Sequence, residues 1–169
     1  MTIAKICNPT CLALTDGDDK AVELLVENLK SNQLVDDESS NVQATNMIWQ
    51  QERSNEFDDW CILNWGCVWS NPDEKVVFDV IIAGDVLYKQ ELPVLFFATA
   101  KTYLCSTGTM FLCHVPRANV THELVIEAAK QAGFVIEPVD TERFQIQGCP
   151  MDDLTRARIY RLRLNTNVP

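Results

Sequence analysis

The segment FDVIIAGDVLY, which spans Phe78 to Tyr88, decides the fold class of this sequence. Its opening residues, FDVIIA, are rich in β-branched side chains and apolar on both faces, which predicts a central strand of a parallel sheet. The strand is expected to end at Gly84, so that Asp85 and Tyr88 follow its carboxyl end. Because ligands bind beyond the carboxyl ends of strands in open α/β sheets, this segment is also the first candidate for a functional site.

Strands and helices alternate on both sides of this segment. Before it, Thr10 to Thr15 (TCLALT) predicts a buried strand bounded by Asp16 and Gly17, and 18–32 carries apolar residues at helical spacing behind an acidic first turn. The elements expected after it are a helix over Glu91–Leu104, a strand over Gly108–Val115 and a helix from Thr121 to about Ala132, closed by Gly133.

The end of the chain breaks this alternation. Phe134–Val139 and Ala157–Leu164 are expected to be two strands with no helix between them. Consecutive strands without a crossover helix are normally antiparallel, so the fold class predicted is α/β with an antiparallel pair at the C-terminal end. An ordinary dinucleotide-binding dehydrogenase has no such closing pair.

The region between the first long helix and Phe78 is less regular. Gln33 to Asp58 is polar, and we interpret it as an insertion or long loop of a single domain that covers residues 1–169, with a short ordered piece at Val42–Trp49. Cys61–Trp65 (CILNW) is predicted to be a strand.

Composition is that of a globular protein. The 169 residues are 47% hydrophobic and contain no apolar run of the roughly 18 residues that a membrane span needs, so the protein is expected to be soluble and cytoplasmic. The net charge of −10 disfavours nucleic acid as a partner and favours a basic protein, although solubility alone also explains it. The seven cysteines form no C-x-x-C pair, so no metal site is predicted.

Two strand ends carry side chains suited to a nucleoside. Asp16 could accept hydrogen bonds from the two hydroxyl groups of a ribose, or it could only cap the next helix, with Gly17 in the turn. Trp65, at the end of CILNW, could pack against an adenine ring. Trp49 is a rival, because Met47-Ile48-Trp49 presents a similar pattern.

Asp85 and Tyr88 are the sharpest candidates for chemistry. A carboxylate and a phenol three residues apart, just beyond a central strand, could line a narrow channel and orient an amine through hydrogen bonds or cation–π contact. The alternative is a capping aspartate and a packed tyrosine.

Three segments in this order, LTDGDDKAVELLVENL, LNWG and FDVIIAGDVLY, resemble the seven-β-strand protein-lysine methyltransferases that modify non-histone targets. The calmodulin-lysine and elongation-factor-2-lysine branches are the most similar. That family has an acidic residue after its second strand, an L-x-W motif after its third and a D-x-x-Y motif after its fourth. The positions that match are Asp16, Trp65, and Asp85 with Tyr88.

The resemblance implies a Rossmann-like class I methyltransferase sheet and methyl transfer from S-adenosylmethionine to a lysine side chain of a protein substrate. Asp85 and Tyr88 would then shape the lysine channel. The cofactor would be held by Asp16, Gly17, Trp65 and Ala83.

One departure from the family concerns its first strand and glycine-rich turn, acidic-x-Gly-x-Gly, which holds the methionine end of the cofactor. The sequence contains no Gly-x-Gly, so this strand and turn are expected to be missing, and Met1–Asn8 to be the tail of the helix that follows them. The family's first strand lies between its second and fourth, so both neighbours would lose backbone pairing.

Two other functions therefore stay open. The chain could be a non-catalytic interaction protein that lost cofactor binding. It could also be a nucleotide-dependent oxidoreductase, because an acid after the second strand suits a nicotinamide ribose, although the closing strand pair and D-x-x-Y argue against this.

Overall fold

A computed structural model describes residues 2–34, 40–66, 75–117, 119–140 and 156–166. The chain divides into two compact units, which are described separately: Met1–Trp49 with Ser54–Val76, and Gln50–Arg53 with Val77–Pro169. The first contains α1 (Thr2–Cys7), β1 (Leu12–Asp16), α2 (Asp19–Ser31), β2 (Val42–Asn46) and α3 (Asn55–Trp65). The second contains β3 (Phe78–Gly84), α4 (Leu92–Tyr103), β4 (Leu104–His114), α5 (His122–Gln131), β5 (Phe134–Pro138) and β6 (Arg158–Leu164).

The first unit is built on a parallel pair of strands. β1 and β2 pair in register from Leu12 with Val42 to Asp16 with Asn46, and α2 packs against both. Helix α2 begins where it does because the Asp18 side chain accepts hydrogen bonds from the first free backbone N–H groups of the helix. The predicted strand and helix at the start of the chain are thus confirmed, as is a helix over most of Met1–Asn8. The prediction that the strand is buried is wrong, because its residues are half-buried or exposed.

The interpretation of Gln33–Asp58 as a loop with one short ordered piece is wrong at its end, because helix α3 already begins at Asn55. The ordered piece expected within Val42–Trp49 is present as strand β2, Val42–Asn46. Residues 35–39 of the region lie outside the described part of the chain.

The prediction of a strand at Cys61–Trp65 is also wrong, because these residues form the second half of α3. Ser54 caps this helix by accepting a hydrogen bond from the backbone N–H of Phe57, at 3.2 Å. Phe57, Cys61 and Trp65 follow one another at four-residue spacing, and all three are buried. This spacing is helical, whereas the short run CILNW alone is equally compatible with a strand.

The second unit contains a four-stranded sheet in the order β3-β4-β6-β5. β3 and β4 are parallel, and β6 runs antiparallel to both of its neighbours. The predicted antiparallel C-terminal pair is confirmed, with β6 inserted between β4 and β5. Gly133, at φ 92°, ends α5 in a conformation that favours glycine, which confirms the predicted helix end.

The core of this unit lies between one face of the sheet and α4 with α5. Its buried side chains include Phe97, Met110, Leu112, Val125, Ala129 and Leu162. The prediction that β3 is buried on both faces is wrong. β3 pairs only with β4 among the described strands, and Val80 and Ile82 expose about half of their surface, 51% and 54%. No helix in the described part of the chain is both long and apolar enough to cross a membrane.

Candidate functional site

Asp85 follows β3 directly and has an unusual backbone. Its φ is +50°, in the left-handed region that few residues other than glycine adopt. The conformation is fixed by a hydrogen bond of 2.8 Å from the Asp85 N–H to the carbonyl of Cys113, at the end of β4. Aspartate and asparagine adopt this conformation more readily than other residues with a side chain, and such conformations are frequent at functional sites.

The two carboxylate oxygens of Asp85 have different environments. Oδ2 forms an ion pair with Nη2 of Arg117, at 2.5 Å. Oδ1 is buried and has no hydrogen-bond partner among the described residues. A buried carboxylate oxygen without a donor is energetically costly, so this atom marks a place where the fold does not satisfy its own hydrogen bonding.

Arg117 lies on a tight turn that follows β4. Its backbone exchanges two hydrogen bonds with Val120, of 3.0 and 3.2 Å. The Val120 carbonyl also lies 3.3 Å from Nε2 of His114, which must therefore donate from that nitrogen. His114 is completely buried, and this burial, followed by the proximity of His122, lowers its pKa from the usual value. A neutral histidine thus supports the turn that carries Arg117.

Two further polar side chains extend this buried network. The Tyr160 hydroxyl lies 3.1 Å from Nδ1 of His122, and Nε2 of His122 lies 3.1 Å from the carbonyl of Arg156. Burial raises the pKa of Tyr160, so its hydroxyl keeps its proton. The rings of His114 and His122 meet edge to face, with centroids 5.2 Å apart.

Tyr88 is exposed over 61% of its surface. The alternative of a packed tyrosine is therefore wrong. The alternative of a capping aspartate is wrong as well, because α4 begins after Glu91, at its N-cap position, and not at Asp85. The ammonium of Lys89 lies 6.0 Å from the centroid of the Tyr88 ring, at the outer limit of a cation–π contact.

Asp16 is exposed at the carboxyl end of β1, which is where a carboxylate that binds the hydroxyl groups of a ribose is expected. Its Oδ1 accepts a hydrogen bond of 2.9 Å from the N–H of Asp18, and Asp18 caps α2. Asp16 therefore stabilises the turn. The alternative role, as the N-cap of the following helix, belongs to Asp18 instead. Gly17 has no left-handed backbone, and a Cβ there would meet only the Met47 carbonyl, at 3.8 Å, so the turn does not require glycine.

The predicted contact of Trp65 with adenine required this residue to lie at the end of a strand, and it does not. It is the last residue of α3 and is 4% exposed, with its indole N–H donating to the Ser40 carbonyl at 3.2 Å. Trp60 packs edge to face against it, with ring centroids 5.1 Å apart. The residue that follows a strand at the corresponding place is Trp49, three residues after the end of β2.

The predicted residues fall into two groups. Asp16, Gly17 and Trp65 belong to the first unit, whereas Ala83, Asp85 and Tyr88 belong to the second. Ala83 is buried in β3, opposite Leu112 of β4.

Two residues of this network were not among the predicted site residues: Arg117, whose charge pairs with Asp85, and His114, which supports its turn. The only signal was the segment HVPR directly at the end of a predicted strand. No group of three or more histidine, cysteine or acidic side chains in the described residues is arranged to hold a metal ion.

The sequence matches no family model and no curated protein. Solved structures of similar fold are known. A TehB-like SAM-dependent methyltransferase from Corynebacterium glutamicum is 11% identical with a TM-score of 0.56, over 91% of this chain and 68% of that one. The fibrillarin pre-rRNA processing protein of Methanococcus jannaschii is 13% identical with a TM-score of 0.60, over 96% and 60%. The N-methyltransferase NodS of Bradyrhizobium japonicum is 16% identical with a TM-score of 0.59, over 96% and 78%.

The chain spans 60 to 68% of the length of four of the solved structures to which it is similar. Identities this low establish the fold alone. The predicted fold class is confirmed: the chain has an α/β fold like that of Rossmann-like methyltransferases, with antiparallel strands in its larger sheet.

Proposed function

We propose that this protein transfers a methyl group from S-adenosylmethionine to a lysine side chain of a protein substrate. The observation that carries the proposal is Asp85, which combines a left-handed backbone beyond a parallel strand with one paired and one unpartnered carboxylate oxygen among the described residues. The methyltransferase-like fold supports methyl transfer, and the resemblance of the D-x-x-Y segment supports lysine as the acceptor.

Asp85 and Tyr88 would act at the acceptor end of the site. The partly exposed carboxylate of Asp85 can accept a hydrogen bond from a lysine amine, and the exposed Tyr88 ring can contact its methylene groups. In such a transfer the new N–C bond would form as the S–C bond broke, and the positive charge would pass from sulfur to nitrogen. No nucleophilic side chain is needed, because positioning of the amine supplies most of the catalysis.

The residues present fit only part of the cofactor, which would supply the methyl group. The exposed Asp16 can hold ribose hydroxyls through the carboxylate oxygen that does not bind Asp18. Trp49, after β2, is the better candidate for adenine contact than Trp65. For the methionine end of the cofactor, we identify no binding residue among the described residues. The whole sequence contains no Gly-x-Gly motif.

A basic protein is the substrate class that the charge favours. A net charge of −10 attracts lysine-rich surfaces and repels phosphate backbones. One solved structure of similar fold is a pre-rRNA processing protein, so RNA is the substrate to exclude by experiment. We place the reaction in the cytoplasm, where seven reduced cysteines are expected.

A second candidate is an interaction protein without catalysis that binds lysine-bearing partners through the same surface. The lack of a Gly-x-Gly turn favours it, because methionine binding normally uses backbone N–H groups at such a turn.

Incubation with radiolabelled S-adenosylmethionine and a fractionated cytosolic extract separates these functions. We expect label on lysine residues of basic proteins with the parent chain and its strong loss with Asp85→Asn. Glu137→Gln is a matched control, because Glu137 also pairs with an arginine, at 2.6 Å. Label in RNA instead of protein would exclude a protein substrate. No methyl transfer by the parent chain or by Asp85→Asn would favour the second candidate, an interaction protein without catalysis.

A further inference from the structure

The face of the four-stranded sheet that lies opposite α4 and α5 carries large apolar side chains that are exposed. Val80 and Ile82 of β3 are 51% and 54% exposed, Phe111 of β4 is 37% exposed and Val135 of β5 is 47% exposed. Single exposed apolar residues are common on protein surfaces, but several on one sheet face are characteristic of an interaction site.

The strand register places these side chains on one surface together with two arginines. Ile82 pairs with Phe111, and Phe111 pairs with Arg161 of β6. Residues two positions apart in a strand share a face, so Val80 lies beside Ile82, and Arg163 lies beside Arg161. Val135 pairs with Arg163. We call this surface the open face and define it by its six residues, Val80, Ile82, Phe111, Val135, Arg161 and Arg163.

The open face has an apolar part and a basic part. Neighbouring strands are about 4.8 Å apart, so the apolar band on β3 and β4 has roughly the width of one α-helix, about 10 Å. The arginines follow on β6, the next strand of the sheet. A helix that lies along the apolar band would therefore have one flank beside both arginines.

The arginines locally reverse the charge of an acidic chain, which has 24 acidic and 14 basic residues. Arg161 pairs with Glu137 at 2.6 Å, whereas Arg163 is exposed and has no ion-pair partner among the described residues. An open depression of about 180 Å³ beside both arginines, lined in part by Val135, gives room for a carboxylate side chain. Charge complementarity therefore favours an acidic flank on the helix that covers the apolar band.

We propose that the open face binds an amphipathic α-helix of a partner protein. The apolar stripe of this helix lies on Val80, Ile82 and Phe111, and its acidic flank lies beside Arg161 and Arg163. The inference goes beyond the proposed function. It uses none of the residues assigned to the acceptor amine, and it does not require methyl transfer.

Two synthetic peptides test the inference by fluorescence anisotropy. Both carry a fluorescein label and have about five helical turns with leucine at i, i+3, i+4 and i+7 spacing. One has glutamate along the flank of the leucine stripe, and the other has lysine there. At low ionic strength we expect the parent chain to bind the glutamate peptide about three-fold more tightly. The net charge of −10 alone predicts the opposite order, so the comparison isolates the effect of the arginines.

A matched pair of valine variants tests the apolar band. Val80→Thr keeps a β-branched side chain in the strand but removes a methyl contact, so it should weaken binding of the glutamate peptide about four-fold. Val94 on α4 is also 51% exposed, and Val94→Thr should leave the affinity unchanged. The double variant Val80→Thr with Ile82→Thr should weaken binding by about ten-fold or more.

A second pair of variants tests the basic part of the open face. Arg163→Gln should weaken binding of the glutamate peptide about two- to five-fold and should reduce its advantage over the lysine peptide. Lys101→Gln removes a positive charge from α4 and should change neither quantity. Arg163 is exposed at the sheet surface, so Arg163→Gln should keep the urea midpoint of the parent chain.

Three binding results overturn the inference: no binding of either peptide by the parent chain, tighter binding of the lysine peptide, and equal losses with Val80→Thr and Val94→Thr. The other possible occupant is a second copy of this chain, which size-exclusion chromatography with light scattering detects. A dimer of the parent chain that dissociates in the double variant would assign the open face to a second copy, and would overturn the inference as well.

Discussion

The Nε2 atom of His114 lies 3.3 Å from the carbonyl oxygen of Val120, inside a completely buried environment. Protonation of the imidazole is disfavoured there, because it would place a charge beside the ring of His122 and away from water. Folding stability in the second unit is consequently linked to pH.

We expect the free energy of unfolding to fall as the pH drops below the pKa of a histidine in the unfolded chain, about 6.5. Burial, and then His122, lower the pKa of His114 in the folded chain, so the unfolded chain takes up a proton first. The stability is fully present above that pH and is lost towards the lower folded pKa, at up to about 1.4 kcal/mol per pH unit for one group.

Urea unfolding at pH 7.5, 6.5 and 5.5 measures this dependence. His114→Gln retains a donor for Val120 but has no titrating group, so its free energy of unfolding should depend less steeply on pH. Identical pH dependence in the parent and the variant would show that His114 does not contribute.

Asp85→Asn should reduce methyl transfer by about 10- to 150-fold, the equivalent of a charge-assisted hydrogen bond of 1.5–3 kcal/mol. Asparagine tolerates the left-handed conformation at φ +50°, so the backbone should persist. Tyr88→Phe should act in the same direction. Both variants should keep the parent's cofactor affinity, which is measured alongside turnover. A loss of cofactor affinity proportional to the loss of activity would place these residues at the cofactor instead.

The elements with strong local signals could be predicted from the sequence. Thr121 and Gly133 mark the two ends of α5, and the run at Phe78 identifies β3, because caps and β-branched runs act over a few residues. The lack of a helical pattern in the sequence between the last two predicted strands was enough to predict that they are antiparallel.

The wrongly predicted elements and the missed ion pair have a common physical cause. Contacts between residues distant in the sequence decide the structure at these places. β2, with the sequence VQATN, is polar and is stabilised by pairing with β1, about 30 residues earlier. CILNW forms a helix because Phe57, outside that run, completes a buried face. The Asp85–Arg117 pair joins residues 32 positions apart, a distance at which single-sequence patterns carry no contact information.

Trp65 and Trp49 should respond differently to substitution by alanine. Trp65 is buried in the first unit, so Trp65→Ala should cost about 3–5 kcal/mol of stability. Trp49 is only half-buried, so Trp49→Ala should cost less and should instead weaken binding of the adenine moiety. Urea unfolding and titration with adenosine separate the two effects. An unchanged unfolding midpoint in Trp65→Ala would contradict its place in the core.

Asp16→Ala should weaken binding of S-adenosylhomocysteine by about 10- to 150-fold, because a charge-assisted contact to ribose contributes about 1.5–3 kcal/mol. Asp16 also accepts the Asp18 N–H, at 2.9 Å, so alanine disturbs the turn as well. Asp16→Asn keeps an acceptor for that bond and serves as the matched control. A normal affinity in Asp16→Ala would leave Asp16 with a role in the turn alone.

Residues 1–169 should bind S-adenosylmethionine only weakly. The carboxylate and amine of its methionine end normally meet backbone N–H groups at a glycine-rich turn, where no Cβ obstructs the approach. The six glycines of this sequence include no Gly-x-Gly pair, and of those described, Gly17 has no need to be glycine. Asp16 and Trp49 would then hold the nucleoside alone, so adenosine should bind almost as tightly as the whole cofactor. Calorimetric titration compares the two ligands. Micromolar affinity for S-adenosylmethionine, with much weaker binding of adenosine, would show that other backbone groups of this chain hold the methionine end.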